Sequence, residues 1–511
     1  MNKKLLSVVA VALISTTIIS CSSSAKSSKV TIEVSSEIQG QVYKPTEVTI
    51  TETLHTVEEK RQYNTQVLPS IGKVNMLVIP IIVPQYDIID LDGDGNDDKD
   101  QVIKDLNKVF FAKKDKKLGY ESVASFYNTS SYGQLQLGGE VTDWFDPVKD
   151  GNFDFTYATD LDYPETFDVV RAAVHWARDV QKIDLTKYDS DKDGYIDGVW
   201  CIYSCPNYMN GGPRSEFNNF WAYTSWGNQS VNDGGETPKV NDPIYNLFGW
   251  ASYDFMYEGY GKDILDAHTY IHETGHFLGL GDYYSDSSIY NPIGKVDMMD
   301  ANIIDHNSYS KMLLGWSKPY IVTGGKHTIN LLDMENKNSL IVIPGDSYNG
   351  ENKFDPFSEY ILIELYTNDG LNNKDSRIKL GSNPLAMNDK GVRIYHIDNR
   401  KFVFNGVSVE EYTNQEINST NRIILPISNK RGYDQYNSLG LSIDFNLFDE
   451  IRLIEADNVD SFSSGGYQKS KSLFKEGKVF DIANYSKFFI NDAKFNNGDS
   501  WSFEVKIGEI V

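Results

Sequence analysis

The sequence predicts an α+β protein, with helices around a buried sheet in the amino-terminal half and strands dominating the carboxyl-terminal half. Three observations predict it. Val74 to Val83 is an apolar run broken only by Asn75 and Pro80, the mark of a strand covered on both faces. Helical spacing recurs at Val102, Ile103, Leu106, Val109 and Phe110. It returns at Phe167, Val170, Val174 and Ala177 within Phe167–Val180, and a further helix is expected over Asp263–Leu280 after a turn at Gly259 and Gly261. Beyond Trp316, the runs Ser339–Pro344, Tyr360–Tyr366, Val392–Ile397, Arg422–Pro426, Ile451–Glu455 and Trp501–Val505 alternate with Asn, Asp, Gly and Ser turns. A chain of 511 residues has room for several domains with large cores.

The third helix carries the chemistry. In His272-Glu273-Thr274-Gly275-His276, positions i and i+4 lie about 40° apart around the axis, so both imidazoles share one face. Two such rings reach one Zn²⁺ at about 2.0–2.1 Å. Glu273 points off that face yet stays close enough to serve water as a general base. Gly279 and Gly281 are expected to stop the helix, since glycine accepts the left-handed conformation that ends helices. Asp282 then returns as an oxygen ligand, leaving the fourth position to water, as in catalytic rather than structural zinc sites. His268, one turn upstream, reads as a first-turn surface residue or a support for the site rather than a ligand.

These residues resemble a known family. H-E-x-G-H-x-x-G-L-x-D-x-Y over His272–Tyr284 is similar to the zinc signature of the immune inhibitor A-like secreted bacterial metallopeptidases, a metzincin-type branch of zinc proteases. The resemblance implies His272, His276 and Asp282 as zinc ligands and Glu273 as the catalytic base. It also implies a methionine turn beneath the zinc, for which Val296-Asp297-Met298-Met299-Asp300 offers Met299, with Met298 as rival. Tyr309–Trp316 resembles the K-x-x-L-G-W close of the family's catalytic domain. Ser122–Trp144, Tyr360–Glu364, Gly391–Asp398 and Arg452–Asp457 resemble other parts of it, so the likeness runs over residues 75–510 and is strongest at 189–316. A metzincin-like catalytic domain over 71–317, with a mixed sheet and the active-site helix, is therefore expected, followed by one or two β-rich domains over 318–511. In metzincin-type proteases a strand beside the active-site helix binds extended substrate through its main chain. Of Phe220–Tyr223 and Tyr245–Tyr253, the later strand is expected to be that edge.

Two acidic loops carry calcium spacing. Asp90, Asp92, Asp94 and Asp98 stand at positions 1, 3, 5 and 9 with Gly95 at position 6, although position 12 is Gln101. Asp189, Asp191, Asp193 and Asp197 repeat the pattern with Gly194 at position 6 and the Tyr195 carbonyl at position 7; position 12 falls on Trp200. Both are read as structural Ca²⁺ loops, the alternative being solvated acidic turns.

The ends and composition suggest an address. Lys3 and Lys4 precede an apolar run from Leu5 to Ile19, too short to span a bilayer comfortably, so 1–20 reads as an export signal. Ile18-Ile19-Ser20-Cys21 resembles a bacterial lipobox, which implies lipidation of Cys21 and a lipoprotein on the outer face of the cell membrane, or plain secretion otherwise. A serine-rich tether is expected over 21–35, and 36–70 as a pro-region or an N-terminal β extension. Cys201 and Cys205 fall on one predicted strand, about 13 Å apart at 3.3 Å per residue. A disulfide needs about 7 Å or less, so they read as buried thiols. A net charge of −24 argues against nucleic acid, which requires basic stripes.

The expected function is zinc-dependent hydrolysis of extracellular proteins or peptides by a monomer that meets the membrane only through its lipid. In related enzymes a tyrosine often stabilises the tetrahedral intermediate; Tyr283, Tyr284 and Tyr309 are the candidates. The alternative is a surface adhesin or binding lipoprotein with an inactive protease fold.

Overall fold

A computed structural model describes residues 27–511 except 37–41, 44–47, 55–65, 215–219, 228–236, 261–262, 285–289, 338, 346–347, 349–352, 382, 405–408, 412–421, 425–448, 490–493, 496–497 and 500–501. The export signal and Cys21 lie outside the described residues. The chain is α+β, with mixed sheets and few helices. Among the described residues no helix is long and apolar enough to cross a membrane.

The amino-terminal half is built on a five-stranded sheet in the order Leu135–Val141, Gly72–Ile81, Val199–Tyr203, Leu247–Ser252, Tyr223–Trp226. The first four strands are parallel and the last is antiparallel. Alternate residues of the second strand feed two cores. Val74, Met76 and Val78 face the helices Lys99–Phe111, Val123–Ser130 and His268–Phe277. Leu77, Ile79 and Ile81 face Val170, Val174 and Ala177 of the helix Tyr163–Asp179. Helices on both faces leave no solvent side to the strand, hence its uninterrupted apolar run. Cys201 and Cys205 are buried free thiols.

One expectation about this sheet is corrected. Leu247–Ser252 lies inside it and is buried along its whole length, whereas Tyr223–Trp226 is the half-buried edge. A fully apolar strand reads as interior by the same logic that identified Val74–Val83. Gly249 belongs there too, since a Cβ at that position would collide with the Trp200 ring.

The carboxyl-terminal half is a sandwich. A six-stranded sheet runs Ile451–Ile454, Gly391–Asp398, Glu359–Tyr366, Leu340–Pro344, Tyr320–Val322, Val42–Tyr43. A four-stranded sheet runs Lys326–Leu332, Lys29–Ser36, Phe503–Ile510, Val479–Phe480. Val30, Ile32 and Val34 meet Ile341, Ile361, Ile363 and Ile394 in the core between them. The opposite face of the larger sheet, including Val342, Leu362 and Tyr395, joins the core that holds Ile271 and Phe277. The helix His268–Phe277 is therefore buttressed by the carboxyl-terminal half.

Residues before the first core strand do more than expected. The tether expected through residue 35 gives way at Lys29 to a strand paired on both sides, because Val30, Ile32 and Val34 alternate with polar neighbours. Val42–Tyr43 and Thr49–Ile50 also pair with strands of the carboxyl-terminal half, as a β extension would.

Candidate metal centre

The helix that carries the motif is His268–Phe277, shorter than the expected Asp263 start because the Asp266 carboxylate accepts the His268 N–H and marks the first turn. Gly279 ends it at φ +91°, where any side chain is strained. Gly281, expected to share that task, has no positive φ, so one glycine suffices.

Past the stop, the chain turns back and sets Asp282 against the helix. Each histidine is fixed through Nδ1: His272 to the Met298 carbonyl and His276 to the Leu280 carbonyl, both at 2.8 Å. Such contacts set the tautomer and aim Nε2 outward. Asp282 Oδ1 lies 3.0 Å from Nε2 of His272 and 3.2 Å from Nε2 of His276. Donors around a tetrahedral ion at about 2.0–2.1 Å are separated by roughly 3.3 Å, so the spacing fits such an ion. With the Nδ1 protons committed to carbonyls, Nε2 of each histidine faces the carboxylate, a contact that either a proton or a cation makes favourable. Without a cation, protons take that place. Burial opposes charge on His276, but Asp282 overrides it and pushes the pKa up to about 10. Asp282 in turn is held well below the usual carboxylate range against its own burial, chiefly by His276.

Glu273 stands beside these ligands, buried, and burial raises its carboxyl above the ordinary value. Thr224, on the edge strand, lies 3.2 Å from Glu273 Oε2 and 3.1 Å from the Glu273 carbonyl oxygen. Both residues line a cleft of about 380 Å³ that also holds His276, Asp282 and Tyr284. Of the three candidate tyrosines only Tyr284 lines this cleft, its ring centroid 6.3 Å from that of His272. Tyr283 bonds Ser310 and Tyr309 bonds Glu450, both in the interior. Met299 and Met298 divide the work below the helix: a Cβ at Gly275 would strike the Met299 sulfur, while Met298 supplies the carbonyl for His272.

His268 is not a surface residue. It is buried, with Nδ1 2.6 Å from Asp266 and Nε2 3.3 Å from Asp375, and Tyr120 stacks on its ring at 4.3 Å. Burial works against its charge, yet the two carboxylates push its pKa up to about 10.

The two acidic loops fold alike. Position 1 accepts the N–H groups of positions 5 and 6 in both: Asp90 from Asp94 and Gly95, Asp189 from Asp193 and Gly194. Position 4 is left-handed in each, at Gly93 and Lys192. Oxygens of Asp90, Asp92 and Asp94 converge within 4.8 Å, as do those of Asp189, Asp191 and Asp193. At position 9, Asp98 and Asp197 accept the position-2 N–H groups of Leu91 and Ser190 and latch the loops. Tyr195 gives its N–H to Asp193 and bridges to Ile244.

Sequence reading missed Thr224 and Val67, both of which line the cleft from distant segments. Neither belongs to a spacing pattern, so no local signal marked them. No protein-family model matches the chain, and no curated protein matches it by sequence.

Proposed function

We propose that the protein is a zinc-dependent endopeptidase of the metzincin type, resembling the immune inhibitor A-like peptidases. The observation that carries this reading is the convergence of two Nδ1-tethered histidines and Asp282 beside Glu273 in an open cleft. His272, His276 and Asp282 would hold the ion, and zinc when bound supplies a Lewis acid that activates water and polarises a carbonyl.

The remaining work falls to the chain. Glu273 takes a proton from the attacking water and delivers it to the leaving amine; a carboxyl raised by burial is suited to both directions. Thr224 fixes the Glu273 carboxylate. Tyr284 is the tyrosine available to a developing oxyanion. Tyr223–Trp226 pairs on one side only among the described strands, which leaves its outer edge to an extended peptide. The two acidic loops would take Ca²⁺ as structural staples, and an export signal with lipidated Cys21 would put the substrates outside the cell.

Metal analysis of the purified chain, paired with casein hydrolysis with and without a chelator, tests the reading. One zinc per chain and chelator-sensitive cleavage are expected, with Glu273→Ala keeping the zinc and losing hydrolysis. Wild-type activity in that variant, or a folded chain without zinc, would overturn it.

A further inference from the structure

The turn that returns Asp282 to the two histidines is backed from outside its own helix. A Cβ built on Gly279, where the chain reverses, would stand 3.2 Å from Val67 Cγ1 and 3.6 Å from Leu54 Cβ. Both side chains are buried, and both come from the segment that precedes the strand Gly72–Ile81. Beside them the Leu68 N–H donates to the Phe277 carbonyl at 2.6 Å. That carbonyl is among the last of the helix His268–Phe277, which find no partner inside it. Leu54, Val67 and Leu68 therefore press on the reversal together.

That segment is fastened at both ends. Upstream, the Thr51 N–H donates to the Phe354 carbonyl at 3.0 Å, and Lys401 joins Glu52 to Asp355. Farther up, Lys29–Ser36 is an inner strand of the four-stranded sheet, between Lys326–Leu332 and Phe503–Ile510. Downstream, Trp226 Nε1 donates to the Gln66 carbonyl at 2.6 Å, and Gln66 Nε2 to the Ile196 carbonyl at 3.0 Å. Trp316 Nε1 donates to the Ser70 carbonyl at 2.7 Å, and the Ser70 hydroxyl to the Leu314 carbonyl at 2.9 Å. Resting on the metal-centre reading, we infer that Leu54 and Val67 are positioning residues for Asp282, and that residues 48–54 and 66–70 are a permanent strap of the site rather than a pro-segment discarded on maturation. Two physical reasons support it. A reversal at glycine has little stiffness of its own, so Asp282 keeps its 3.0 and 3.2 Å approach to the two Nε2 atoms only while packed side chains back the turn. A segment laid over a finished domain can leave it intact. Loss of Lys29–Ser36 would instead strip a partner from two strands and remove Val30, Ile32 and Val34 from the sandwich core.

The test reads zinc release from the full chain to a chromogenic chelator, for wild type, Leu54→Ala, Val67→Ala and a control, Val174→Ala, which truncates a buried side chain on the opposite face of the five-stranded sheet. Transfer from Leu54→Ala and Val67→Ala should run about tenfold faster than from wild type, the lower end of what losing the support of a metal ligand costs. Leu54→Met and Val67→Ile should restore the wild-type rate. Val174→Ala should release zinc as wild type does, even where its melting temperature falls as far. Should Leu54→Ala fail to fold, Val67→Ala probes the same contact. Unchanged rates in both alanine variants would overturn the strap, as would equal acceleration in Val174→Ala. The intact mass of the zinc-loaded mature chain is expected to include residues 29–70, and a mass showing that it begins beyond Ser70 would overturn the strap as well. A folded wild-type chain that takes up no zinc would instead sink the metal-centre reading on which the strap rests.

Discussion

Thr224 on the edge strand aims its hydroxyl at the Glu273 carboxylate from 3.2 Å, joining the strand proposed to hold substrate to the residue proposed to move protons. A carboxylate free to rotate would spend part of its time away from the attacking water. Thr224→Val keeps shape and removes the donor, so kcat should fall about tenfold, the worth of one hydrogen bond to a charged group, with KM nearly unchanged. Thr224→Ser should restore most of it. Equal activity in the valine variant, measured on one peptide under saturating and limiting conditions, would assign the contact to packing alone.

The residues of the candidate metal centre were legible because they are local. His272, Glu273, His276 and Asp282 sit within one helix and one turn, and helical geometry with the reversal at Gly279 brings them together. Val74–Val83 was legible because burial on both faces writes itself into composition. What could not be read was long-range. Lys29–Ser36 shows its alternation plainly, but its partners lie about 300 and 475 residues away along the chain, as in the pairs Val30 with Leu331 and Ile32 with Ile507. The edge of the five-stranded sheet is not legible for the same reason, since pairing order depends on contacts that composition does not encode. Asp98 and Asp197 matched a spacing, but that they also latch each loop through the position-2 N–H is a tertiary detail that the spacing does not carry.

His268 links its own helix, His268–Phe277, to Asp375 in the carboxyl-terminal half as the cation between two buried carboxylates. Its pKa, ordinarily near 6.5, is pushed up to about 10 in the fold. A raised pKa of this kind gives stability that is complete below about pH 6.5 and fades as pH climbs toward 10. His268→Gln should cost about 3–5 kcal/mol at pH 6, because two uncompensated carboxylates stay buried. The cost should shrink by pH 9.5. Melting temperatures of both chains at pH 6, 8 and 9.5 would show the gap closing; a constant gap would mean the histidine is neutral throughout.

Glu450 presents the opposite case. Burial pushes its carboxyl up to about 7, only partly offset by the Tyr309 hydroxyl that donates to it at 2.8 Å. An acid whose pKa is higher folded than unfolded favours the fold when protonated, so stability drains away as pH rises from about 4.5 through 7. Glu450→Gln keeps an acceptor for Tyr309 and removes the charge. The variant should therefore match wild type at pH 5 and exceed it at pH 8, by up to about 3 kcal/mol. Denaturant melts at the two pH values decide it, and a variant less stable at pH 8 would mean the ionised carboxylate has a partner of its own.

The two acidic loops should differ in their need for calcium although they share one geometry. In the first, Asp94 is held below its ordinary value, chiefly by the Asn96 N–H. In the second, burial pushes Asp193 up to about 6 and Asp197 up to about 8, with Asp191 and Asp189 adding repulsion. Raised carboxyls make the ion-free fold lose stability as pH rises from about 4 through 8, and a bound cation removes that loss by neutralising the cluster. Chelation with EGTA should thus lower the melting temperature more at pH 8 than at pH 5. Asp193→Asn should remove most of this response to chelation, and Asp92→Asn little of it. If both variants respond to calcium as wild type does, the ion binds elsewhere and the loops are solvated turns.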